Sequence, residues 1–145
     1  MIKEFNSIEE IQKYYDDKTN TYVFKENDEY IDLVVFRFDL DVKANISARD
    51  INIHNIYARN INAWDINTWN IKARDIHIIG DINANDIKAN DIQASDIYAN
   101  DINAMDINYY AICVAYKNIK CKSIKGRRNN AKHFVLDGAL EVEND

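Results

Sequence analysis

An isoleucine returns at every fifth residue between positions 46 and 112, and this spacing is the strongest constraint on the fold. One additional residue near Gly80 shifts the phase, after which the spacing resumes at Ile82. An alanine follows most of these isoleucines by two positions, and Asp or Asn precedes most of them by one, so the unit is Ile-x-Ala-x-Asp/Asn. A period of five matches neither the helical period of about 3.6 nor the strand period of about 2. The repeat therefore excludes a long helix and a flat sheet.

The unit has the composition of a short strand followed by a corner. An Ile and an Ala two positions apart point to the same side of an extended segment. Asp and Asn tolerate left-handed backbone angles and hydrogen-bond the nearby backbone, so they suit the corner that follows. Repetition of strand and corner predicts a solenoid of parallel stacked coils, with Ile and Ala ladders along a narrow axis.

The Asp or Asn directly before the large inward residue resembles the pattern of the pentapeptide-repeat proteins, over about residues 44–126. In that family the small residue usually stands two positions before the large one, whereas here it stands two positions after. The resemblance implies an all-β solenoid, a right-handed parallel β-helix with four sides. Some members of the family imitate DNA and occupy the DNA site of an enzyme, so the resemblance also implies a partner-binding role.

Residues 1–43 break the repeat and are predicted to cap the solenoid. The string Ser7-Ile8-Glu9-Glu10 has the sequence of a capping box, which predicts a short helix near residues 8–17. A small α/β cap of this kind would cover the unpaired strands and apolar core that an open solenoid end exposes. The predicted strands and the polar turn between them are Tyr22–Phe24, Lys25–Glu29 and Tyr30–Val42.

Residues 127–145 follow the repeat and are predicted to form a β-hairpin. His133–Leu136 and Ala139–Val142 flank Asp137-Gly138, a strong signal for a two-residue turn. The hairpin would cover this end of the solenoid or pair with a second copy to give a homodimer. The string KNIKCKSIKGRRNNAKHFVLDG, which begins at Lys117, also resembles the ends of uncharacterised small proteins from phages and mobile elements of low-GC Gram-positive bacteria. That resemblance implies a genomic setting and no activity.

The net charge of −6 is distributed unevenly along the chain. Before Gly80 the residue that precedes the isoleucine is either Asp or Asn, whereas in the six units between residues 81 and 108 it is always Asp. Stacked strands lie about 4.8 Å apart, so carboxylates in one column repel each other, although Asn would form the corner equally well. Two interpretations stay open: solvated corner residues, or an acidic partner-binding surface that imitates DNA. The acidic positions are Asp81, Asp86, Asp91, Asp96, Asp101 and Asp106.

The extent of such a DNA-like surface would be small. With four corners in each coil, an all-acidic solenoid would carry one charge per about 1.2 Å of axis, against about 1.7 Å for duplex DNA. The repeat would nevertheless be only about 19 Å long. A dimer or the N-terminal acids would have to extend the surface: Asp28, Glu29, Asp32, Asp39 and Asp41.

Two further sets of side chains are candidate contacts with a partner. The first predicts an aromatic and basic face, with packing across a corner as the alternative for its tryptophans: Trp64, Trp69, Arg49, Arg59 and Arg74. The second is a basic segment for nucleic acid or an acidic partner, with a solvated strand edge as the alternative: Lys117, Lys120, Lys122, Lys125, Arg127, Arg128 and Lys132.

The sequence contains no motif that points to an enzyme, a metal site or a cofactor. Cys113 and Cys121 lack the spacing of a metal or redox motif, and Cys121, two residues after Ile119, is predicted to be a buried thiol. The N-terminal residues lack an apolar signal core and no run is long enough for a membrane span, so a cytoplasmic protein is expected.

These observations favour a non-enzymatic inhibitor or modulator of a nucleic-acid-handling protein. The target would be gyrase, a restriction enzyme or a CRISPR effector, which would make the protein an anti-restriction or anti-CRISPR factor in the last two cases. One alternative is a structural, self-assembling module built from stacked or paired solenoids. Another is direct nucleic-acid binding through residues 117–132.

Overall fold

The computed structural model describes residues 2–143, most of which lie in short β-strands that wind into a solenoid of about six turns. The prediction of an all-β solenoid is confirmed. An α-helical turn, α1 (Ile8–Ile11), continues into a 3₁₀ turn at Gln12–Tyr14. Within the described residues, no helix has the length and apolar character needed to cross a membrane. The strands are β1 (Ile2–Phe5), β2 (Tyr15–Asp16), β3 (Thr21–Val23), β4 (Lys25–Glu26), β5 (Glu29–Tyr30), β6 (Asp32–Val35), β7 (Leu40–Asp41), β8 (Asn45–Ser47), β9 (Asp50–Tyr57), β10 (Asn60–Ala63), β11 (Asp65–Lys72), β12 (Asp75–Ile78), β13 (Ile82–Asn83), β14 (Asp86–Lys88), β15 (Asp91–Asn103), β16 (Asp106–Cys121), β17 (Ser123–Gly126), β18 (Lys132–Val135) and β19 (Leu140–Val142).

The strand register shows that three five-residue units make one coil. Ile51 of β9 pairs in parallel with Ile66 of β11, and Asn70 stacks on Asn55 fifteen residues earlier. The prediction of four sides is therefore wrong. A uniform repeat defines the length of a side and the residues that point inward, but the same unit occurs on every side. The number of sides depends on how many inward side chains one layer of the core accommodates.

The three sides are named here by their inward residues. The first face contains Ile46, Ile61, Ile76, Ile92, Ile107 and Ile124. The second face contains Ile51, Ile66, Ile82, Ile97 and Cys113. The third face contains Ile56, Ile71, Ile87, Ile102 and Ile119. The first corner joins the first face to the second, the second corner joins the second to the third, and the third corner leads to the first face of the next coil.

The core consists of the predicted Ile and Ala ladders. Apart from the partly buried Ile124 in the last coils, the repeat isoleucines that point inward are at most 2% exposed, and burial of one such side chain contributes about 1.5–3 kcal/mol. Alanines such as Ala63 and Ala94 lie on the same side two residues later and are also buried. The coil of residues 91–105 therefore holds three isoleucines and three alanines inward, which fits a narrow triangular interior, whereas Ile53 and Ile78 replace the alanine in two other coils.

Additional residues between units are accommodated at the corners. Asp81 lies sixteen residues after its equivalent Asp65, and the extra residue projects Ile79 outward at the first corner, where it is 66% exposed. A Cβ atom added to Gly80 would collide with the carboxylate of Asp65 and lie 3.0 Å from the carbonyl oxygen of Trp64, so a side chain here would displace the Asp65 carboxylate from its hydrogen bond to Asp81. A second insertion moves Ile112 to a corner and brings Cys113 to the inward position.

The N-terminal segment contributes a coil of its own to the parallel stack. Strands β3, β6 and β7 pair in parallel with β8 and β9, so the stack extends beyond the boundary at residue 44 that the repeat predicts. The predicted strand Tyr30–Val42 is divided into three strands, since the chain turns at the corners of this coil. Phe5, Tyr14 and Phe24 pack together above it, with ring centroids 5.1–5.9 Å apart.

The predicted capping box is wrong, and the helix is shorter than residues 8–17. Ser7 makes no side-chain capping hydrogen bond, and α1 ends after one turn. The carboxylate of Glu10 instead accepts a hydrogen bond from the backbone N–H of Asn6 at 3.2 Å. The chain leaves the helix at this point because Tyr14 and Ile11 turn into the aromatic cap and are buried there.

The predicted C-terminal hairpin is also wrong. Strands β18 and β19 pair in parallel with β16 on the second and third faces, and form a last coil. The sequence Asp137-Gly138 lies at the corner between them. A Cβ atom added to Gly138 would lie 1.6 Å from the carbonyl oxygen of Lys117. The glycine that resembles a hairpin signal therefore permits a close approach between two coils.

Candidate binding surfaces

The six aspartates predicted to form one acidic face lie at all three corners, two at each. Since three units make a coil, successive aspartates in the sequence point outward about a third of a turn apart. The grouping of these six residues on one face is therefore wrong. Asp81 and Asp96 lie at the first corner, Asp86 and Asp101 at the second, and Asp91 and Asp106 at the third.

The longest carboxylate column lies at the first corner and is called the acidic ridge: Asp50, Asp65, Asp81 and Asp96. These side chains help to form the corner. Asp65 and Asp81 accept hydrogen bonds from the backbone N–H of the next ridge residue, at 2.8 and 3.2 Å. Asp96 accepts one from Ile112 at 3.0 Å. At the first corner, these hydrogen bonds thus support the interpretation that the aspartates help to form the turn.

The ridge carboxylates also repel each other. Partial burial and the charges of Asp32 and Asp65 raise the pKa of Asp50 above its ordinary value. Burial together with the charges of Asp96 and Asp65 raises the pKa of Asp81. Corner formation does not require this cost, because an asparagine oxygen accepts the same backbone hydrogen bond.

Uncharged outward residues border the ridge on both sides between residues 45 and 115. A second acidic column, Asp75, Asp91 and Asp106, runs along the third corner, on the far side of the first face. Between residues 45 and 115, neither the first nor the second face carries Lys or Arg at its outward midpoint. Those midpoints are Ser47, Asn62, His77, Gln93 and Asn108 on the first face, and Asn52, Asn67, Asn83, Tyr98 and Val114 on the second.

The predicted aromatic and basic face is wrong as a single surface. Trp64 lies at the first corner, Trp69 at the second, and Arg59 and Arg74 at the third. Arg49 is tied into the fold: its guanidinium forms a two-point contact with the carboxylate of Asp32, at 2.7 and 2.8 Å. This contact holds the pKa of the buried Asp32 below its ordinary value. Arg49 thereby links the repeat to the N-terminal coil.

The two tryptophans are both exposed but differ in their contacts. The Trp69 ring stacks on His54 with centroids 4.5 Å apart, and His54 in turn contacts Phe36 at 5.3 Å. These three rings form a ladder along the second corner of three successive coils. Among the described residues, no comparable ring contact is made by Trp64. Packing along a corner, the alternative interpretation, therefore applies to Trp69.

A long groove with a volume of about 1070 Å³ runs along the third face. One wall is a ladder of outward face residues that includes Tyr57, Lys72 and Lys88, which lie one above another. The other wall follows the third corner through Arg59 and Arg74. The floor between them consists of small residues: Ala58, Ala73, Ala89 and Ala104. The basic groove is defined here by its cations: Lys43, Arg59, Lys72, Arg74, Lys88, Lys120 and Lys122.

The groove accounts for the asparagines before Gly80, whereas Asp75, which follows Arg74 at the third corner, does not fit this pattern. In the first two repeat coils, the corners on either side of the third face carry asparagine, whereas the distant first corner carries Asp50 and Asp65. The asparagines hydrogen-bond in ladders: Asn70 donates to Asn55 at 2.9 Å, and Asn60 donates to Asn45 at 3.0 Å. Negative charge is therefore absent from these four positions beside the groove. Sequence reasoning missed the groove because its residues align only when three units make a coil.

The predicted basic segment of residues 117–132 is spread around the last two coils. Lys120 lies in the groove and pairs with Glu143 at 3.2 Å. Arg127 donates to the carbonyl oxygen of Ala94 at 3.0 Å and lies over the Tyr110 ring. The other members lie on different sides: Lys117 at the second corner, Lys122 at the third, Lys125 on the first face, Arg128 at the turn after β17, and Lys132 at the start of β18.

The buried thiols lack the features of nucleophiles. Cys121 is 2% exposed, as predicted, and Cys113, which the insertion moves to an inward position, is 0% exposed. Burial raises the pKa of the Cys113 thiol to about 12 and also raises the pKa of Cys121. Among residues 2–143, no group of three or more His, Cys, Asp or Glu is arranged to hold a metal ion.

Comparison with models of protein families, with curated proteins and with solved structures gives no match. The resemblance to pentapeptide-repeat proteins and the phage-like character of the C-terminal string therefore stay predictions. The two principal surfaces of the protein are the acidic ridge and the basic groove, which differ in charge, shape and contacts.

Proposed function

We propose that the protein is a non-enzymatic binding protein that inhibits or modulates a nucleic-acid-handling protein in the cytoplasm. Its acidic ridge would occupy a cationic surface that normally binds DNA. The observation that supports this proposal is the unbroken column Asp50, Asp65, Asp81 and Asp96, bordered on both sides by uncharged faces. Arg49, at the same corner, offsets part of the charge of Asp50. No Lys or Arg at the midpoints of the two faces neutralises Asp65, Asp81 and Asp96, so this part of the column keeps its field.

The dimensions of the acidic surface are compatible with part of a duplex. Each column carries one carboxylate per coil, about 4.8 Å apart, so the ridge and the second column together carry one charge per about 2.4 Å. Duplex DNA carries one per about 1.7 Å. The two columns are separated by the width of the first face, about 13 Å for four extended residues. They thus resemble two phosphate strands over a few base pairs.

Paired charge-neutral variants test this proposal. The double variant Asp81→Asn/Asp96→Asn removes two ridge charges and keeps the oxygen that accepts the backbone hydrogen bonds. We expect it to lose inhibition in assays of DNA supercoiling by gyrase, cleavage by restriction enzymes and cleavage by RNA-guided effectors. The wild-type protein should inhibit at least one of these, and less strongly as the salt concentration rises.

The chain offers a control with the same change of charge in the same two coils. Asp86→Asn/Asp101→Asn removes two carboxylates from the second corner, where Asp86 shares a strand with Lys88. We expect this variant to inhibit as well as the wild type. Equal loss of inhibition in both double variants, or none in either, would contradict a role for the ridge. If only the ridge variant loses inhibition, affinity capture from the native host with both double variants as baits should identify the target. The target is the protein that the second-corner variant retains and the ridge variant does not.

A second candidate function, self-assembly, is favoured by the exposed apolar side chains of the last coil. Leu136 is 62% exposed and Phe134 is 43% exposed, and strands β17, β18 and β19 each pair only with β16 among the described strands. We expect a homodimer formed through these strands in place of the predicted hairpin, which Leu136→Glu would dissociate. A monomer at all concentrations in sedimentation measurements of the wild type would exclude this function.

A further inference from the structure

We infer that the basic groove binds single-stranded nucleic acid, with phosphates on its Lys and Arg side chains and a base on Tyr57. This surface lies on the third face and does not include the acidic ridge, so the inference is independent of the proposed function. Five cations of the groove lie in the coil of Tyr57 or in coils close to it: Lys43, Arg59, Lys72, Arg74 and Lys88.

These five cations are available to a ligand. All five are exposed, and none forms an ion pair with another residue in the part of the chain that the structure describes. Asparagine replaces aspartate at the adjacent corners, at Asn55, Asn60 and Asn70. A surface whose only role was solubility would not need this separation of charge. Asp41 also lines this part of the groove and Asp75 follows Arg74 at its edge, so the five cations outnumber the carboxylates but are not isolated from them. Clustered Lys and Arg in excess over carboxylates is the chemistry that binds phosphates.

The shape of the groove favours one extended strand over a duplex. Its two walls are formed by outward residues two positions apart, a separation of about 6.6 Å. A duplex, whose major groove alone is about 12 Å wide, is too broad to enter it. From Lys43 to Lys122 the groove spans five coil steps, or about 24 Å. That length matches the lower range of single-strand sites, which begins at about 4 nucleotides.

The floor and one wall supply contacts for the bases. Alanines form the floor, so no large side chain obstructs a strand that lies along the groove. Tyr57 lies half-buried in the wall, one coil before Lys72 and one coil after Asp41. A base can stack on its ring while neighbouring phosphates contact the cations of the next coils. This aromatic platform favours nucleic acid over an acidic peptide, which has no bases to stack.

The experiment is a titration of the full-length protein into fluorescein-labelled oligothymidylate of about 12 nucleotides, followed by anisotropy at several salt concentrations. The logarithm of the binding constant should fall with the logarithm of salt by about 0.7 for each phosphate contacted, or about 3.5 for five contacts. Lys72→Gln/Lys88→Gln should weaken binding several-fold and reduce this slope by about 1.4. A duplex of the same length should compete poorly.

The matched control is Lys117→Gln/Lys125→Gln, which removes the same charge outside the groove. We expect it to bind like the wild type, and circular dichroism should show that both double variants retain the β-solenoid. Equal weakening by both double variants, or no oligonucleotide binding at about 50 mM salt, would overturn the inference.

A second pair of measurements distinguishes nucleic acid from other polyanions. Tyr57→Ala should weaken oligothymidylate binding by at least about fivefold and leave the binding of inorganic polyphosphate unchanged. If polyphosphate or polyglutamate binds more tightly than the oligonucleotide, or if Tyr57→Ala changes no affinity, the groove is a site for another polyanion and the assignment is wrong. Neither measurement alters the ridge, so the outcome is separate from that of the inhibition assays.

Discussion

Asp65 accepts a hydrogen bond of 2.8 Å from the backbone N–H of Asp81, the residue that occupies the same corner one coil later. The contact repeats between Asp81 and Asp96 at 3.2 Å, so the ridge carboxylates connect successive coils as well as carrying charge. Structure and surface charge are therefore coupled at this corner. Replacements by asparagine and by alanine separate the two, since only asparagine retains an oxygen at the same distance from the backbone.

We predict that Asp65→Ala lowers the free energy of unfolding by about 1 kcal/mol, because the N–H of Asp81 loses its acceptor. Asp65→Asn should retain most of that stability. Asp86→Ala is the control, because no hydrogen bond to the Asp86 carboxylate occurs among the described residues. Urea denaturation measures all three differences. A loss for Asp86→Ala as large as that for Asp65→Ala would show that the backbone hydrogen bond is unimportant.

The column at the third corner predicts a stabilising substitution. Burial and the charges of Asp75 and Asp106, one coil away on either side, raise the pKa of Asp91. Because the pKa of Asp91 is higher in the folded than in the unfolded protein, protonated Asp91 stabilises the folded state below its ordinary pKa of 3.8. This stabilisation is lost as the pH rises through the pKa of Asp91 in the folded protein. At pH 7 the charged Asp91 is therefore destabilising, by less than about 1 kcal/mol because it is exposed.

Asp91→Asn should accordingly raise the midpoint of thermal unfolding at neutral pH, and the advantage should vanish in acid, where Asp91 is protonated. Asp137→Asn is the control, since the backbone N–H of Asp137 bonds to Tyr116, and no carboxylate lies there in the preceding coil. Melting curves between about pH 3 and pH 7 provide the measurement. An unchanged midpoint at pH 7 would mean that solvent screens the column completely.

The inward half of each unit could be predicted from the sequence, and the number of sides could not. Every third unit shares a face, so Lys72 meets Lys88 and Arg59 meets Arg74, although they are separated by fifteen or sixteen residues. The five-residue period does not specify how many units complete one coil. The predictions of one acidic face and one aromatic and basic face were wrong because each grouped residues by their position in the sequence. The mixture of Asp and Asn before Gly80 was visible, but its meaning depends on three-sided geometry.

Local signals were misleading where the stack determines the conformation. Asp137-Gly138 has the sequence of a hairpin turn, yet the flanking strands find partners in the preceding coil. Ile112 continues the five-residue cadence but lies at a corner, because an insertion shifts Cys113 to the inward position. Parallel pairing with the existing coil gives these strands backbone partners and also covers the edge of β16, which an isolated hairpin would leave unpaired.

The ladder of aromatic rings at the second corner is predicted to stabilise the first coils. Trp69→Ala removes a ring stacked on His54 and should cost about 0.5–1.5 kcal/mol beyond the loss of buried area. Trp64→Ala removes a similarly exposed ring that makes no ring contact among residues 2–143, and should cost less. Chemical denaturation compares the two variants directly. If Trp64→Ala is the more damaging, Trp64 contributes through packing at the first corner instead.

Tyr109 occupies a position that elsewhere holds alanine, and we predict that it fixes the last coil. Its buried ring lies beside Gly126, and its hydroxyl forms a 2.7 Å hydrogen bond with Nδ1 of His133. Tyr109→Phe should cost about 1 kcal/mol. Gly126→Ala should cost about 1–3 kcal/mol, because the added Cβ atom would lie 2.9 Å from the Tyr109 ring. Tyr110→Phe, at an exposed neighbour, should have no effect. Hydrogen exchange should show faster exchange in β17 and β18 of the first two variants, and protection equal to the wild type would refute this role for Tyr109.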